Sequence, residues 1–253
     1  MTEISTATMP WNSRSTITYQ EALRVAADIE RQGYGALPGF VSQDELEPLR
    51  SIARVGAQQS RGEYFYLTRL TDVSGTVLAE LARSTCFKNF CKNLYEIATG
   101  DTAPEANFFF VFRCLQGASG QRHSYQFHYD SHILTALLPV EIPESGPKGD
   151  LVLFPHVRPI RRHYYSSLLD KLVLANKFSQ TTLRAAARRR RLGAIAIRMQ
   201  PGTVYFFWGY RSIHANEPCE PDKLRVTALF HYGDPHRNSS LQALIRRARG
   251  RNT

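Results

Sequence analysis

The sequence predicts a mainly β fold, an antiparallel sandwich or barrel that carries helices on its outside. Three observations lead there. From Asn107 onward, short apolar or alternating stretches recur between glycines and prolines, as in folds built from many short strands. Before Asn107, apolar residues fall at helical spacing behind two capping boxes. Finally, His128 and Asp130, and later Arg225 and Thr227, stand two apart on candidate strands, so the members of each pair share one face.

The elements follow in order. Residues 1–16 are polar and are expected to be loose. Thr18-Tyr19-Gln20-Glu21 is a capping box, with Ala22, Val25, Ala26 and Ile29 behind it at helical spacing; Gly33 and Gly35 end that helix. A short strand at Ala36-Leu37 leads to Pro38-Gly39. Ser42-Gln43-Asp44-Glu45 is a second capping box, opening a helix to about Ala57. A third helix is expected from about Ser84 to Thr99, closed by Gly100. Strands are then expected over Phe108–Leu115, Ser124–His132, Leu134–Val140, Leu151–Phe154, Ala194–Met199, Thr203–Trp208 and Leu224–Tyr232. Residues 157–192 interrupt the series with a leucine-rich helix near 166–177 and an Ala/Arg helix near 181–191. From Gln242 the chain can form a short basic helix.

Whole-chain properties narrow the partners. At 253 residues the chain fits one domain with a large core. No apolar run approaches the roughly 18 residues that cross a bilayer. Met1–Pro10 lacks a basic start followed by an apolar stretch, so it does not read as a secretory signal. Cys86, Cys91, Cys114 and Cys219 show no CxxC spacing, which fits reduced thiols and a cytoplasmic location. The formal charge of +10 favours anionic partners. Much of it is local, in Arg188–Arg191 and in the arginines at 246, 247, 249 and 251, and such runs are commonly solvated faces or tails.

The chemistry lies in the polar strand positions. A polar strand face is most often solvent-exposed. Here, however, a distant histidine, His214, matches His128 and Asp130, and Arg225 follows it. Two histidines and one carboxylate cover one face of an octahedral Fe(II) and leave three positions open for a cosubstrate and O2. An arginine grips a carboxylate with two parallel hydrogen bonds, so Arg225 suits the far end of a 2-oxo diacid that chelates the metal. Tyr125, Phe127 and Tyr129 fill the opposite face of the His128 strand.

This arrangement resembles the Fe(II)/2-oxoglutarate-dependent oxygenase superfamily, in particular its phytanoyl-CoA-dioxygenase-like branch. The resemblance spans roughly Gly33 to Tyr232. Tyr34–Phe40 followed by a helix is similar to the family's N-terminal region, and His128-Tyr129-Asp130 resembles its HxD motif. Asp150–His156 is similar to a segment that often ends in Pro-Gly-Ser-His in relatives. Gln200–Phe207 resembles the strand before the second metal histidine, and His214 and Arg225 stand at the family's separation. The resemblance implies a double-stranded β-helix barrel, a jelly roll of cupin type. It places one oxygenase domain over residues 17–236, with a helical insertion at about 157–192 and a basic C-terminal segment over 237–253. It also implies metal ligands His128, Asp130 and His214, cofactors Fe(II), 2-oxoglutarate and O2, and hydroxylation of an unactivated C–H with succinate and CO2 as coproducts. A carboxylate at Asp130 argues against halogenation, since halogenating relatives have a small residue there.

Further candidates keep two readings each. Arg113, the one charge in an aromatic strand, either snorkels to water or contacts an acidic substrate or the cosubstrate carboxylate nearest the metal. Thr227 shares a face with Arg225 and can hydrogen-bond the cosubstrate; threonine on a strand also needs no such role. Gln126 and His132 share a face with the ligands and are candidates for contact with cosubstrate or substrate, while Arg122 and Arg158 are weaker candidates for substrate contact. His156 is expected to shape a loop near the site. The 157–192 insertion is a candidate lid. A nucleic-acid demethylase is an alternative, but such relatives carry a second arginine six residues after the first, where this chain has His231. A non-catalytic basic binding protein is the other alternative, against which the intact ligand set argues. The substrate itself is not named by the sequence: small biosynthetic intermediates, amino acids, lipids and sugar-acid conjugates all stay open, and the basic charge is compatible with a small anionic metabolite.

Overall fold

The computed structural model describes residues 17–161, 163–237, 239, 240 and 242. The expected loose N-terminus and nearly all of the expected C-terminal helix lie outside these residues.

Helix α1 spans Tyr19–Gln32, strand β1 Gly35–Leu37 and helix α2 Gln43–Gln59. Both helices start on capping boxes, closed by Thr18 with Glu21 and by Ser42 with Glu45, and Gly33 ends α1 in the left-handed conformation. Strand β2 (Phe65–Leu67), a 3-10 turn at Leu70–Val73 and α3 (Val77–Arg83) come next. They were not anticipated, because each is too short to establish a period. Helix α4 (Thr85–Thr99) ends at Gly100 as expected.

The barrel is assembled from β3 (Phe109–Leu115), β4 (Leu134–Glu141), β5 (Leu151–Phe154), β6 (Ile195–Ile197), β7 (Val204–Phe207), β8 (Ile213–Asn216) and β9 (Arg225–Tyr232), with a short α5 (Gly117–Arg122) after β3. Six strands form one sheet in the order β1-β7-β4-β9-β3-β2, antiparallel throughout. A smaller antiparallel sheet runs β6-β5-β8. Apolar residues of both sheets, among them Leu137, Leu151, Leu153 and Phe207, pack into one cluster between them. This is the double-stranded β-helix expected from the sequence.

Alternation along β9 shows how the layers divide. Val226, Ala228, Phe230 and Tyr232 belong to the large core shared with α1–α4. Arg225, Thr227, Leu229 and His231 point the other way, into the barrel. The N-terminal helices thus cover the outside of the large sheet, as their amphipathic spacing predicts.

The 124–132 segment differs from expectation. It is not a regular strand: only His128 forms a bridge, to His214 on β8. The segment is held instead by separate hydrogen bonds, from Tyr125 N to the Asn216 carbonyl (2.8 Å) and from Asp130 N to the Gly209 carbonyl (3.0 Å). Tyr125 sits at φ 53°, in the left-handed region. The predicted shared face is broken accordingly. Gln126 is exposed, and its amide donates to the Arg122 carbonyl (2.7 Å). His132 lies past a bend and stacks on Phe109 and His231.

The insertion forms α6 (Tyr164–Ala175) and α7 (Lys177–Arg188). Among its described residues, none lines the metal-site cavity. Leu174, Ala186 and Ala187 pack against Phe127, Tyr129, Val152 and Phe154 on the outer face of the small sheet. Arg158 fastens it there. Its guanidinium lies between the rings of Tyr129 (3.9 Å) and Tyr210 (4.1 Å) and binds Asp170 of α6 at 3.0 Å.

Candidate metal centre

His128 and Asp130 come from the bridged segment and His214 from β8, directly across the bridge. One ligand atom from each lies within 4.8 Å of the others. Asp130 Oδ1 stands 3.4 Å from His214 Nε2 and 3.8 Å from His128 Nε2. Each imidazole is oriented from behind. His128 Nδ1 faces the Gln126 carbonyl at 2.8 Å and His214 Nδ1 the Ser212 carbonyl at 3.1 Å. A carbonyl can only accept, so both Nδ1 atoms carry the proton and both Nε2 lone pairs point at the shared centre.

Asp130 is positioned on its other oxygen. Thr135 Oγ1 of β4 donates to Asp130 Oδ2 at 2.5 Å. That hydroxyl accepts in turn from His231 Nδ1 of β9 at 3.0 Å. Oδ1 is left for a metal. Gly209 is required beside it, because a Cβ there would run into Asp130 Oδ2 and Thr135 Oγ1.

Electrostatics favour a cation here. Burial opposes ionisation of Asp130, but the neighbouring His214 and His231 outweigh it and hold the carboxyl well below its usual range. His128 is half exposed; partial desolvation and then His214 push its imidazole down to about 4, against the pull of Asp130. For His214, burial lowers and Asp130 raises; the carboxylate wins and its pKa is raised. Two histidines and a carboxylate, with open space in front, suit an octahedral Fe(II).

That space is a cavity of about 220 Å³. Leu137, Leu151, Phe207 and Leu229 supply apolar walls, and Arg113, Arg225 and Thr227 line it as well. Arg225 is 2% exposed, and its Nε has no partner. Burial and nearby Arg113 lower its pKa to about 10, with Cys219 and Asp150 opposing. It remains charged at neutral pH. Gly149, at φ 72°, admits it: a Cβ there would lie 2.5 Å from Arg225 Cδ. A buried guanidinium with an orphaned donor is costly, and a carboxylate would relieve it. The residues present therefore fit both the metal and a 2-oxo diacid.

Arg113 does not snorkel outward. It pairs in register with Thr227 across β3 and β9, faces the cavity, and has an orphaned buried Nε. Tyr64, on the chain just before β2, adds a phenol ring 5.7 Å from its guanidinium carbon. Of the other candidates, Gln126, His132, Arg122 and Arg158 do not line the cavity. His156 Nε2 meets the Ile29 carbonyl at 3.0 Å and ties α1 to the barrel rim. Sequence reasoning missed Thr135, His231 as a supporting residue, and Tyr64. A lone threonine in the apolar run Leu134–Val140 was the available signal for the first.

No family model and no curated protein sequence matches the chain. Solved structures do. The non-heme alpha ketoglutarate dependent epimerase SnoN from nogalamycin biosynthesis is 16% identical, with a TM-score of 0.53 over 86% of this chain and 84% of that one. A Pseudomonas putida prolyl-4-hydroxylase is 11% identical, TM-score 0.51, over 83% and 98%. A Trichoplax adhaerens prolyl hydroxylase, solved with a hypoxia inducible factor peptide fragment, is 12% identical, TM-score 0.57, over 88% and 93%. This chain shares the fold of these proteins.

Proposed function

We propose that the chain is an Fe(II)- and 2-oxoglutarate-dependent oxygenase that hydroxylates an unactivated C–H bond of a small anionic metabolite. The observation that carries this reading is one cavity holding three convergent ligand atoms together with a buried Arg225 whose Nε has no partner. Bound iron and 2-oxoglutarate would supply the oxidant, consuming O2 and releasing succinate and CO2. The chain's own residues do the rest. His128, Asp130 and His214 hold the metal on one face. Arg225 takes the far carboxylate of 2-oxoglutarate in a two-pronged grip, with Thr227 beside it. The apolar walls exclude water from the reacting side.

The substrate class follows from charge. The cavity is lined by two guanidinium groups, Arg113 and Arg225, and one carboxylate, Asp130. A divalent metal adds two positive charges, and the 2-oxoglutarate dianion removes two. One positive charge remains, and Arg113 carries the spare donor. An anionic group on the substrate satisfies both.

Anaerobic titration with Fe(II) and then 2-oxoglutarate tests the reading. Arg225→Lys keeps the charge but loses the fork, and should weaken 2-oxoglutarate by about 1.5–3 kcal/mol while iron affinity holds. Arg113→Gln should leave 2-oxoglutarate affinity intact and abolish succinate release driven by carboxylate-bearing metabolites. If Arg113→Gln instead loses 2-oxoglutarate, Arg113 holds the cosubstrate and the charge argument for the substrate fails.

A further inference from the structure

The insertion has a second face that the barrel does not use. On α6, Tyr165, Leu169, Leu172 and Val173 are spaced as i, i+4, i+7 and i+8 and therefore share one side. They are 56–65% exposed, and Phe178 at the start of α7 is 81% exposed. Val173 and Phe178 continue into a shallow groove floored by Leu174, Leu183 and Ile213. An apolar surface of this extent on a soluble domain marks an interaction site.

The charge around it is equally concentrated. Residues 157–192 contain ten Lys and Arg and a single acid, Asp170, giving nine of the ten net positive charges of the whole chain. Asp170 is taken up by Arg158 and Arg161. On α7, Lys177, Arg184 and Arg188 lie along one side and are exposed. A leucine- and aromatic-rich stripe on α6 and a basic stripe on α7, whose Arg184 and Arg188 also reach the Tyr125 ring, give this segment the two features of a helical element that lies in the headgroup region of an anionic bilayer.

We propose that the α6–α7 insertion docks the protein on an anionic membrane surface, with Tyr165, Leu169, Leu172, Val173 and Phe178 entering the interface and the basic side chains meeting lipid phosphates. A second copy of the chain is disfavoured, because docking this face on itself would oppose two strongly positive segments. A nucleic acid would match the charge but leave the apolar stripe in water. The docking is peripheral: no helix among the described residues is long and apolar enough to cross a membrane. It is also independent of the chemistry assigned to the barrel.

The test is flotation of the full chain with vesicles of phosphatidylcholine alone and of phosphatidylcholine mixed with phosphatidylglycerol. Binding is expected to the mixed vesicles only and should fall with added salt. Leu172→Glu combined with Val173→Glu should lower it about tenfold or more, as should Lys177→Glu combined with Arg184→Glu. All four positions are exposed, and circular dichroism checks that each variant is folded. Tyr66→Glu, an exposed apolar site elsewhere, should leave binding unchanged. Failure to float with the mixed vesicles would overturn the proposal. So would binding that survives the Leu172/Val173 change, which would place the attraction in other basic segments. Light scattering that shows a dimer lost in that variant would assign the face to a second copy, again against the proposal.

Discussion

At the residue scale, the site is a set of positions fixed from behind. Neither His128 nor His214 chooses its own tautomer; the Gln126 and Ser212 carbonyls choose it. Asp130 is held by the relay from His231 through Thr135. Thr135→Val keeps the shape but removes the relay. Partners of this kind are commonly worth about 10–100-fold in metal affinity, so Fe(II) binding should weaken by that order while circular dichroism stays unchanged. The titration behaviour gives a second prediction. His214 is raised and so keeps a proton to higher pH than a free imidazole, whereas His128 stays neutral down to about 4. A metal therefore competes with a proton at His214 before it does so at His128. Affinity should fall on acidification, first through His214 and with a further loss only near pH 4. Calorimetric titration with Mn(II) in buffers of different ionisation enthalpy counts the protons released. Release of two protons at neutral pH would show that His128 is also charged.

Among the elements, the segment bearing His128 and Asp130 is the least regular part of the barrel and depends on its neighbours. Its alternating sequence correctly sends Phe127 and Tyr129 to one side and His128 and Asp130 to the other. Alternation records which side is buried, however, and not whether a ladder is complete. The missing ladder bonds are replaced by Gln180 of α7, whose amide accepts from Phe127 N at 2.9 Å and donates to the Phe127 carbonyl at 2.8 Å. The insertion thus braces the segment that carries His128 and Asp130. Gln180→Leu should speed hydrogen exchange at the Phe127 amide and weaken metal binding, because two buried backbone groups lose their partners. Exchange over α6 and α7 in the wild type should change little when Fe(II) and 2-oxoglutarate bind. Strong new protection there would instead support the gating role that the segment's length suggests.

At the scale of the whole molecule, the two sheets meet at the candidate metal centre, so ligand binding there would be linked to folding. His128, Asp130, His214 and Arg225 come from three separate stretches of chain and converge only in the folded state. A metal held at about a hundred times its dissociation constant adds about 2.7 kcal/mol. For a domain of this size that corresponds to roughly 5–10 °C in Tm. Anaerobic thermal denaturation with Fe(II) should show this rise, and 2-oxoglutarate should extend it in the wild type and much less in Arg225→Lys. An unchanged Tm with saturating metal would count against the assigned ligands.

The division between what sequence determines and what tertiary structure decides follows from the range of the interactions. Capping boxes, helix spacing, strand alternation and the ligand-bearing residue types are local, and they established α1, α2, α4, most of the barrel strands and the candidate triad with Arg225. Short pieces such as β2 and α3 carry too few residues to show a period. The Thr135–His231 relay joins residues 96 apart in sequence, and the Gln180 brace spans 53. No local pattern encodes such partners, because the geometry that makes a threonine a donor to Asp130 exists only once β4 and β9 lie side by side. The insertion shows the same limit. Its composition announced two helices and a strong positive charge, but only packing decided that one face braces the small sheet and the other is left to the outside.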